Sequence, residues 1–330
     1  MSQVNIGGVM VGDSQPTFIL AEIGLNHNGD LGLAKKLIDV AADAGCQAVK
    51  FQKRTIPLAF SESDLKNPRE APAEVLVNAI KRGVLPSESI ARLTVSNFQN
   101  ATYGDAKWAL EFTEGEYREI DSYCKAKGIL WTASVWDEAS VDFLERFNPP
   151  VYKISSPSLT DDNLLQCVHN TGRPIVLSTG MSTVEEIDHA VAILGAKDLV
   201  LMHCVSTYPC ELGDINLRVI EFLAKRYNVP IGYSGHEKGV YPSVHSIAHG
   251  ACVIERHITL DRTMWGGDQA ASLEPKGLIL LVKAIKVYEK SRGDGVKRVL
   301  ESELVKMKTL RRNKSPDISV VSQSNIIQRG

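Results

Sequence analysis

The sequence has 330 residues, 44% of them hydrophobic and 23% charged, a balance typical of a soluble globular protein and long enough to bury a large core. Its formal net charge of −2 provides no basic field for nucleic acid, and no apolar run approaches the roughly 20 residues that span a membrane. Met1-Ser2-Gln3-Val4 lacks a charged stretch followed by an apolar core, so no secretory leader is expected and the protein is expected in the cytoplasm. The six cysteines, at 46, 124, 167, 204, 210 and 252, include no Cys-x-x-Cys pair; buried, reduced thiols are expected rather than disulfides.

In chain order, Val4–Val11 reads as a hairpin turning at Gly7-Gly8, suited to cap the bottom of a barrel. A strand–helix rhythm then begins. Thr17–Glu22 reads as a strand, Leu31–Ala44 as a helix and Gln47–Gln52 as the second strand. The rhythm breaks over Arg54–Glu111, which holds Pro57, Pro68, Pro72 and Pro86. This stretch is expected to be a long insertion with short helices, forming a lid over the site. Helix Glu114–Lys127 follows, and the rhythm resumes. Strand Ile129–Ser134 precedes helix Asp137–Phe147, Val151–Ser155 precedes Asp161–Thr171, and Pro174–Ser178 precedes Thr183–Leu194. For that last helix Ser182 is expected as N-cap with Glu185 at N3, a capping box. Strand Leu199–Cys204 then precedes helix Leu217–Tyr227, Pro230–Ser234 precedes Tyr241–His249, and Ala251–His257 precedes Pro275–Ser291.

Eight strands thus alternate with eight helices, and the strands are near-continuous apolar runs, as expected of strands buried on both faces. The rival is an open doubly wound sheet. Without a dinucleotide glycine fingerprint, closure into an α/β (β/α)8 TIM barrel is favoured. The barrel is expected to occupy residues 1–292, with the insertion at about 54–111, and 293–330 to form a polar tail whose basic run Lys306–Lys314 is solvated.

In such barrels the chemistry sits at the C-terminal ends of the strands. Here those ends carry Glu22, then Lys50 and Gln52, Ser134, and Lys153 with Ser155 and Ser156. Next come Ser178, then His203, Ser206 and Tyr208, then Ser234 and His236, and finally Glu255 and His257. One such serine is as readily a cap or turn residue; a polar group on every strand end is harder to ascribe to folding alone. Two lysines with several hydroxyls suit a small anion carrying a phosphate and a carboxylate. No P-loop points to a nucleoside triphosphate.

His236 and His257 end the last two strands, whose ends lie about 5 Å apart if they pair. Glu22 ends the strand that neighbours them after closure, and Asp268 follows on a loop. Two histidines with nearby carboxylates and waters suit Mn²⁺, Fe²⁺, Co²⁺ or Zn²⁺ and leave positions open for substrate; otherwise they are hydrogen-bonded residues of the mouth. His203, inside its strand, is expected to be a packed core residue. His169, His189, His245 and His249 fall on helices and are expected to take no part. Asn26-His27-Asn28-Gly29 either touches substrate or makes the turn.

Several stretches together resemble the sialic acid (N-acetylneuraminate) synthase family over roughly residues 15 to 291. They are Ala21-Glu-Ile-Gly-Leu-Asn-His27, Val49-Lys-Phe-Gln52, Tyr152-Lys-Ile-Ser-Ser156, Leu177-Ser-Thr-Gly-Met181, His203-Cys204, Tyr208-Pro209, Ser234-Gly-His236, Glu255-Arg-His257, Gly267-Asp268 and Ser272-Leu-Glu-Pro275. The resemblance implies a (β/α)8 barrel that condenses phosphoenolpyruvate with an acylamino aldose of N-acetylmannosamine type. The products would be a nine-carbon 2-keto-3-deoxy sugar acid and phosphate. It also implies a homodimer and a divalent metal, Mn²⁺ foremost, with Mg²⁺ or Co²⁺ as alternatives.

By the same resemblance His236 and His257 hold the metal. Lys50, Ser134, Lys153, Ser156, Ser178, Ser206, Tyr208 and Ser234 contact phosphoenolpyruvate, and Glu22, Gln52 and Asp268 lie around the sugar and metal. Glu22, Lys50, Lys153 and Asp268 are then the expected catalytic residues, with Glu22 or Asp268 handling protons. Two departures from the family bear on the sugar. Many relatives carry an acidic residue where this chain has Ser158, and many carry a C-terminal antifreeze-like domain that this short form is expected to lack. Sugar selectivity is therefore expected in residues 54–111 plus Ser158, with Asn100–Asp105 as a lid turn. The rival readings are condensation onto another aldose or aldose phosphate, a Schiff-base aldolase using Lys50 or Lys153, and a sugar-binding protein without catalysis.

Overall fold

The computed structural model describes residues 3–312. The described residues fall into two compact units, one ending at Lys286 and the other beginning at Val287.

In the first unit two short strands, β1 (Val4–Ile6) and β2 (Val9–Val11), pair antiparallel. Their turn uses Gly7 and Gly8, both at positive φ, a conformation glycine adopts without a side-chain penalty. Val4, Ile6 and Val11 are buried in one cluster with Phe18, Ala48, Val151, Val176, Val200 and Val253. Those partners lie at or near the starts of the barrel strands, so the hairpin plugs the N-terminal end of the barrel, as expected.

The apolar runs then pair as a closed parallel barrel. Its strands are β3 (Phe18–Gly24), β4 (Ala48–Lys53), β5 (Leu130–Val135), β6 (Tyr152–Ile154), β7 (Ile175–Ser178), β8 (Leu199–Cys204), β9 (Ile231–Gly235) and β10 (Val253–His257). Each pairs with the next, and β10 closes on β3. Every residue of β3 and of β8 is buried, which is why these runs do not alternate polar and apolar. The registers set His257 opposite Glu22, Glu22 opposite Lys50, Gln52 opposite Ser134, Ser134 opposite Lys153 and Glu255 opposite Ser234. One row of polar residues therefore rings the C-terminal mouth.

The register of β3 on β4 shifts between Glu22 and Gly24. Gly24 has φ +54°, and a Cβ there would stand 3.1 Å from Glu22 Oε1 and 3.4 Å from the His257 ring, so glycine keeps this corner of the mouth clear.

The eight barrel strands are followed by helices Leu31–Ala44, Glu114–Lys127, Glu138–Glu145, Asp162–Asn170, Val184–Leu194, Val219–Tyr227, Tyr241–Ala248 and Pro275–Ser291. The first is fixed at both ends: the Asp30 side chain accepts from the Leu33 N–H, and Gly45 ends the helix in the left-handed conformation. The capping box expected at Ser182 and Glu185 sits one residue later, on Thr183 and Glu186. Both pairs satisfy the spacing, and Ser182 instead hydrogen-bonds the Gly180 carbonyl.

Residues 54–111 form the expected insertion of short helices: Ile56–Ala59, Glu62–Leu65, Ala73–Lys81, Ser87–Val95 and Tyr103–Ala109. It has a small core of its own, with Leu76, Ala79, Leu93 and Ala109 fully buried. Arg54, 1% exposed, pairs with Glu111 at 2.7 Å, and Asn78 donates to the Gly29 carbonyl at 2.9 Å. The insertion is thus tied at its base and to the turn after β3. All six cysteines are free thiols. No helix among the described residues is long and apolar enough to cross a membrane.

The second unit contains an exposed helix, Glu301–Leu310, where only a tail without strand patterning was expected. Residues 313–330, with Lys314 of the basic run, lie outside the described residues.

Candidate active site

A cavity of about 850 Å³ opens at the C-terminal ends of the barrel strands. Its floor holds two buried lysines, each fixed by a serine from the next strand. Lys50 Nζ donates to Ser134 Oγ at 2.6 Å and lies 2.7 Å from Glu22 Oε2. Lys153 Nζ donates to Ser178 Oγ at 2.6 Å and to the Ile154 carbonyl at 3.1 Å. Ser234 Oγ donates to Glu255 Oε1 at 3.0 Å. Ser156 Oγ lies 3.1 Å from Cys204 Sγ and accepts from the Gly180 N–H.

Two ammonium groups and two carboxylates thus share one buried patch, and burial decides their protonation. It pushes the Glu22 carboxyl up to about 7, although Lys50 opposes this. Burial also works to raise Glu255, but Lys153 and Lys50 overcome it and hold that carboxyl at about 2. Burial lowers Lys153, whereas Glu22 and Glu255 outweigh burial at Lys50 and raise it. Near neutral pH, then, Glu255 is ionised and Glu22 is poised to hold or release a proton.

The two histidines stand beside this patch with ring centroids 5.6 Å apart. His236 Nδ1 lies 2.8 Å from the Val205 carbonyl and donates to it, which leaves the lone pair on Nε2 free. His257 Nδ1 is buried without a hydrogen-bond partner and lies 3.9 Å from Asp268 Oδ2. Burial holds both imidazoles below their usual range, so both offer neutral ring nitrogens. Among the described residues no three histidine, cysteine or acidic side chains already form a ligating group. Two neutral imidazoles on adjacent strand ends, one with an orphaned nitrogen, nonetheless fit a divalent cation, with Asp268 near enough to join and positions left open for substrate.

Gln52, Tyr208 and Asp268 also line the cavity. Gln52 donates to Glu22 Oε1 at 3.4 Å, and the Tyr208 ring lies tilted against that of His236 with centroids 4.1 Å apart. Two expected site residues do not line it. Ser158 is buried at the end of a tight 3₁₀ turn, Ser156–Ser158, its N–H donating to the Ser155 carbonyl. That turn rotates Ser158 out of the wall and brings Ser155 into it, with a buried and unpartnered hydroxyl. Ser206 is not part of the lining, although its hydroxyl lies against Gly180 together with the side chains of two lining residues, Ser156 and Cys204.

The Asn100–Asp105 stretch is not a lid over the cavity. Thr102 and Asp105 form the capping box of helix Tyr103–Ala109, and Asp105, 1% exposed, also binds Arg92. The insertion reaches the cavity through Arg54 and Lys107 instead.

Sequence reasoning missed Arg54, Lys107 and Trp136. Trp136 stands two residues past Ser134, and its indole N–H is buried without a partner, so it was visible as part of the strand end. Lys107 had no such signal, because the insertion carries no barrel periodicity.

His203 is the packed residue expected, its Nε2 2.6 Å from the Ile215 carbonyl. His27 makes the turn: it stacks on Phe112 at 4.2 Å, its Nδ1 accepts from the Gly29 N–H, and burial pushes it down to about 3. Asn26 ties that turn to the loop after β10, donating to the Ile258 carbonyl and Ser272 Oγ.

The NeuB family profile matches residues 94–297. Human N-acetylneuraminate-9-phosphate synthase is 37% identical over 300 residues, covering 90% of this chain and 77% of that protein. The N,N'-diacetyllegionaminic acid synthase of Campylobacter jejuni is 34% identical over 302 residues, covering 90% and 84%. The crystal structure of N-acetylneuraminic acid (sialic acid) synthetase from Leptospira borgpetersenii, in complex with citrate, matches with a TM-score of 0.75 and 32% identity, over 94% of this chain and 98% of that one. With a polar mouth of this composition and relatives of this similarity, the chain belongs to the NeuB family, the sialic acid synthases, and is an enzyme of the synthase class.

Proposed function

We propose that the protein condenses phosphoenolpyruvate with an acylamino aldose of N-acetylmannosamine type, giving a 2-keto-3-deoxy sugar acid and inorganic phosphate. The observation that carries this reading is the pair of lysine–serine couples, Lys50 with Ser134 and Lys153 with Ser178, buried side by side on the cavity floor. Fixed ammonium and hydroxyl donors suit the carboxylate and phosphate of phosphoenolpyruvate and hold its C3 toward an aldehyde. The two neutral histidines and Asp268 stand where that aldehyde would lie.

In the reaction C3 of phosphoenolpyruvate attacks the aldehyde carbon, and the carbonyl oxygen takes up a proton to become a hydroxyl. Water adds at C2 and loses a proton. The bond between C2 and the bridging oxygen then breaks as the C2 hydroxyl gives up its proton to the departing phosphate, leaving the 2-keto group. Glu22, raised by burial toward neutrality, is suited to exchange one of the first two protons, and Asp268, also raised by burial, the other. Glu255 stays ionised and orients Ser234. A divalent cation on His236 and His257, Mn²⁺ by family likeness, would supply Lewis-acid polarisation of the aldehyde.

Names among the relatives cover both phosphorylated and unphosphorylated products, so they do not choose the acceptor. Mass spectrometry of products from phosphoenolpyruvate, Mn²⁺ and a panel of aldoses tests the reading; no condensation product with any acylamino aldose refutes it. One observation favours a second reading: burial lowers Lys153, as a Schiff-base lysine requires. Borohydride trapping of a keto-acid adduct on Lys153 would decide for that alternative.

A further inference from the structure

We propose that the acceptor sugar carries a phosphate ester at the end remote from its aldehyde, and that Arg69 and Lys107 seat this group in a side chamber of the main cavity. The proposal rests on the condensation reading above. The chamber, about 500 Å³, branches off where Leu25, Lys107 and Asp268 line both spaces. Arg69, Trp265, Gly266 and Gly267 are among the residues of its other walls. Asp268 lies 3.9 Å from His257 and also lines the chamber, so the chamber opens beside the histidines and a sugar with its aldehyde there can extend into it.

The two cations are held in place by the fold of the insertion. Tyr103 N–H donates to the Asn67 carbonyl at 2.8 Å, and Arg69 N–H donates to the Ala101 carbonyl at 2.9 Å. This stitches the Arg69 loop to the start of helix Tyr103–Ala109. The Tyr103 ring is then shared by both charges, with Lys107 Nζ 4.7 Å and the Arg69 guanidinium carbon 5.4 Å from its centroid. Lys107 Nζ also lies 5.0 Å from the Phe60 ring.

Among the described residues neither cation forms an ion pair. The acids of the insertion closest to Lys107 in the chain are committed elsewhere, Asp105 to Arg92 and Glu111 to Arg54 and Lys53. Burial, with Arg54 and Arg69 adding to it, pushes the Lys107 ammonium down to about 8. Of the charged residues lining the chamber, Arg69 and Lys107 outnumber Asp268. A guanidinium fork and an ammonium facing one small space that holds a single carboxylate, Asp268, match a phosphate's oxygens, and a dianion there relieves the excess positive charge.

The test uses the full chain with Mn²⁺ and phosphoenolpyruvate. It compares kcat/KM for N-acetylmannosamine 6-phosphate and for N-acetylmannosamine in wild type, Arg69→Gln, Lys107→Met and Lys107→Arg, with circular dichroism as the check on folding. The wild type is expected to favour the phosphorylated sugar at least about tenfold, as a charge-assisted contact of ordinary strength provides. That preference should fall at least about tenfold in R69Q and K107M, and K107R should recover part of it. Equal use of both sugars by the wild type, or an unchanged preference in both variants, overturns the proposal. If neither sugar consumes phosphoenolpyruvate, the condensation reading falls instead, and calorimetric titration of N-acetylmannosamine 6-phosphate decides the seat. Binding that weakens in K107M upholds it; absent or unaltered binding overturns it.

Discussion

Arg256→Met is expected to destabilise the protein by about 4 kcal/mol, the middle of the range for removing one partner of a buried ion pair. Arg256 is 1% and Glu237 0% exposed. Arg256 Nη1 donates to Glu237 Oε1 at 2.8 Å, the Gly239 carbonyl at 2.7 Å and Ser243 Oγ at 3.0 Å, and Nη2 donates to the Glu237 carbonyl at 2.6 Å. Methionine fills part of the volume but supplies none of these bonds. Glu237 would keep two hydroxyl donors, Tyr233 at 2.9 Å and Ser243 at 2.8 Å, and lose its only ion-pair partner among the described residues. The stranded charge dominates the loss, since the freed carbonyls add only about 1 kcal/mol each. Urea melts measure the change. The double variant Arg256→Met/Glu237→Gln should regain at least about 1.5 kcal/mol, because it removes the stranded charge as well. A single-variant loss under about 1 kcal/mol, or a double variant no better than the single, would refute the reasoning.

Three other outcomes are expected. His236→Ala or His257→Ala should weaken Mn²⁺ binding, read by calorimetry, at least about tenfold while circular dichroism stays unchanged; unaltered affinity in both would sink the metal assignment. Lys50→Met or Lys153→Met should lower kcat/KM for phosphoenolpyruvate roughly 10- to 100-fold, the size of a lost charge-assisted hydrogen bond of about 1.5–3 kcal/mol; unchanged kcat and KM count against the cradle. The third concerns pH. His27 titrates at about 3 when folded against an ordinary 6.5, so the unfolded chain takes up a proton that the folded chain refuses. Its contribution to stability is complete above the ordinary value and is lost as pH falls toward 3, by roughly 1.4 kcal/mol per unit. His27→Gln should flatten that part of the acid slope, and equal slopes in urea melts of the two proteins would exclude it.

The barrel was legible because a buried parallel strand leaves a run of apolar residues that nothing else in the chain imitates. All eight expected strands match the observed ones to within two residues at both ends; β6, read as Val151–Ser155, is one residue shorter at each end, Tyr152–Ile154. The site was legible for the same reason: once the strands are known, the polar residue at each end has one place to go. What failed did so where that logic stops. Ser158 lies past the strand in a tight turn, and that turn leaves Ser155, three residues earlier, in the wall instead. Ser182-Thr183-Val184-Glu185-Glu186 holds two overlapping capping boxes, and spacing alone cannot rank them. Lys107 and Arg69 are brought together by a bridge between Pro68 and Thr102, a contact inside an aperiodic insertion that no pattern announces.

The closure of β10 on β3 has a consequence for how the protein is made. Glu22 and His257 face each other across that seam, and Asn26 is bound to Ile258 and Ser272 beyond it. The lysines come from β4 and β6, whose neighbouring strands β3, β5 and β7 are all complete by Ser178. The histidine half of the site therefore cannot exist on any nascent or truncated chain that ends before β10. A fragment ending near residue 250 carries both lysines yet has an open edge at β9 and another at β3, each a row of unpaired backbone groups. Such a chain would present two aggregation-prone edges where the closed barrel has none.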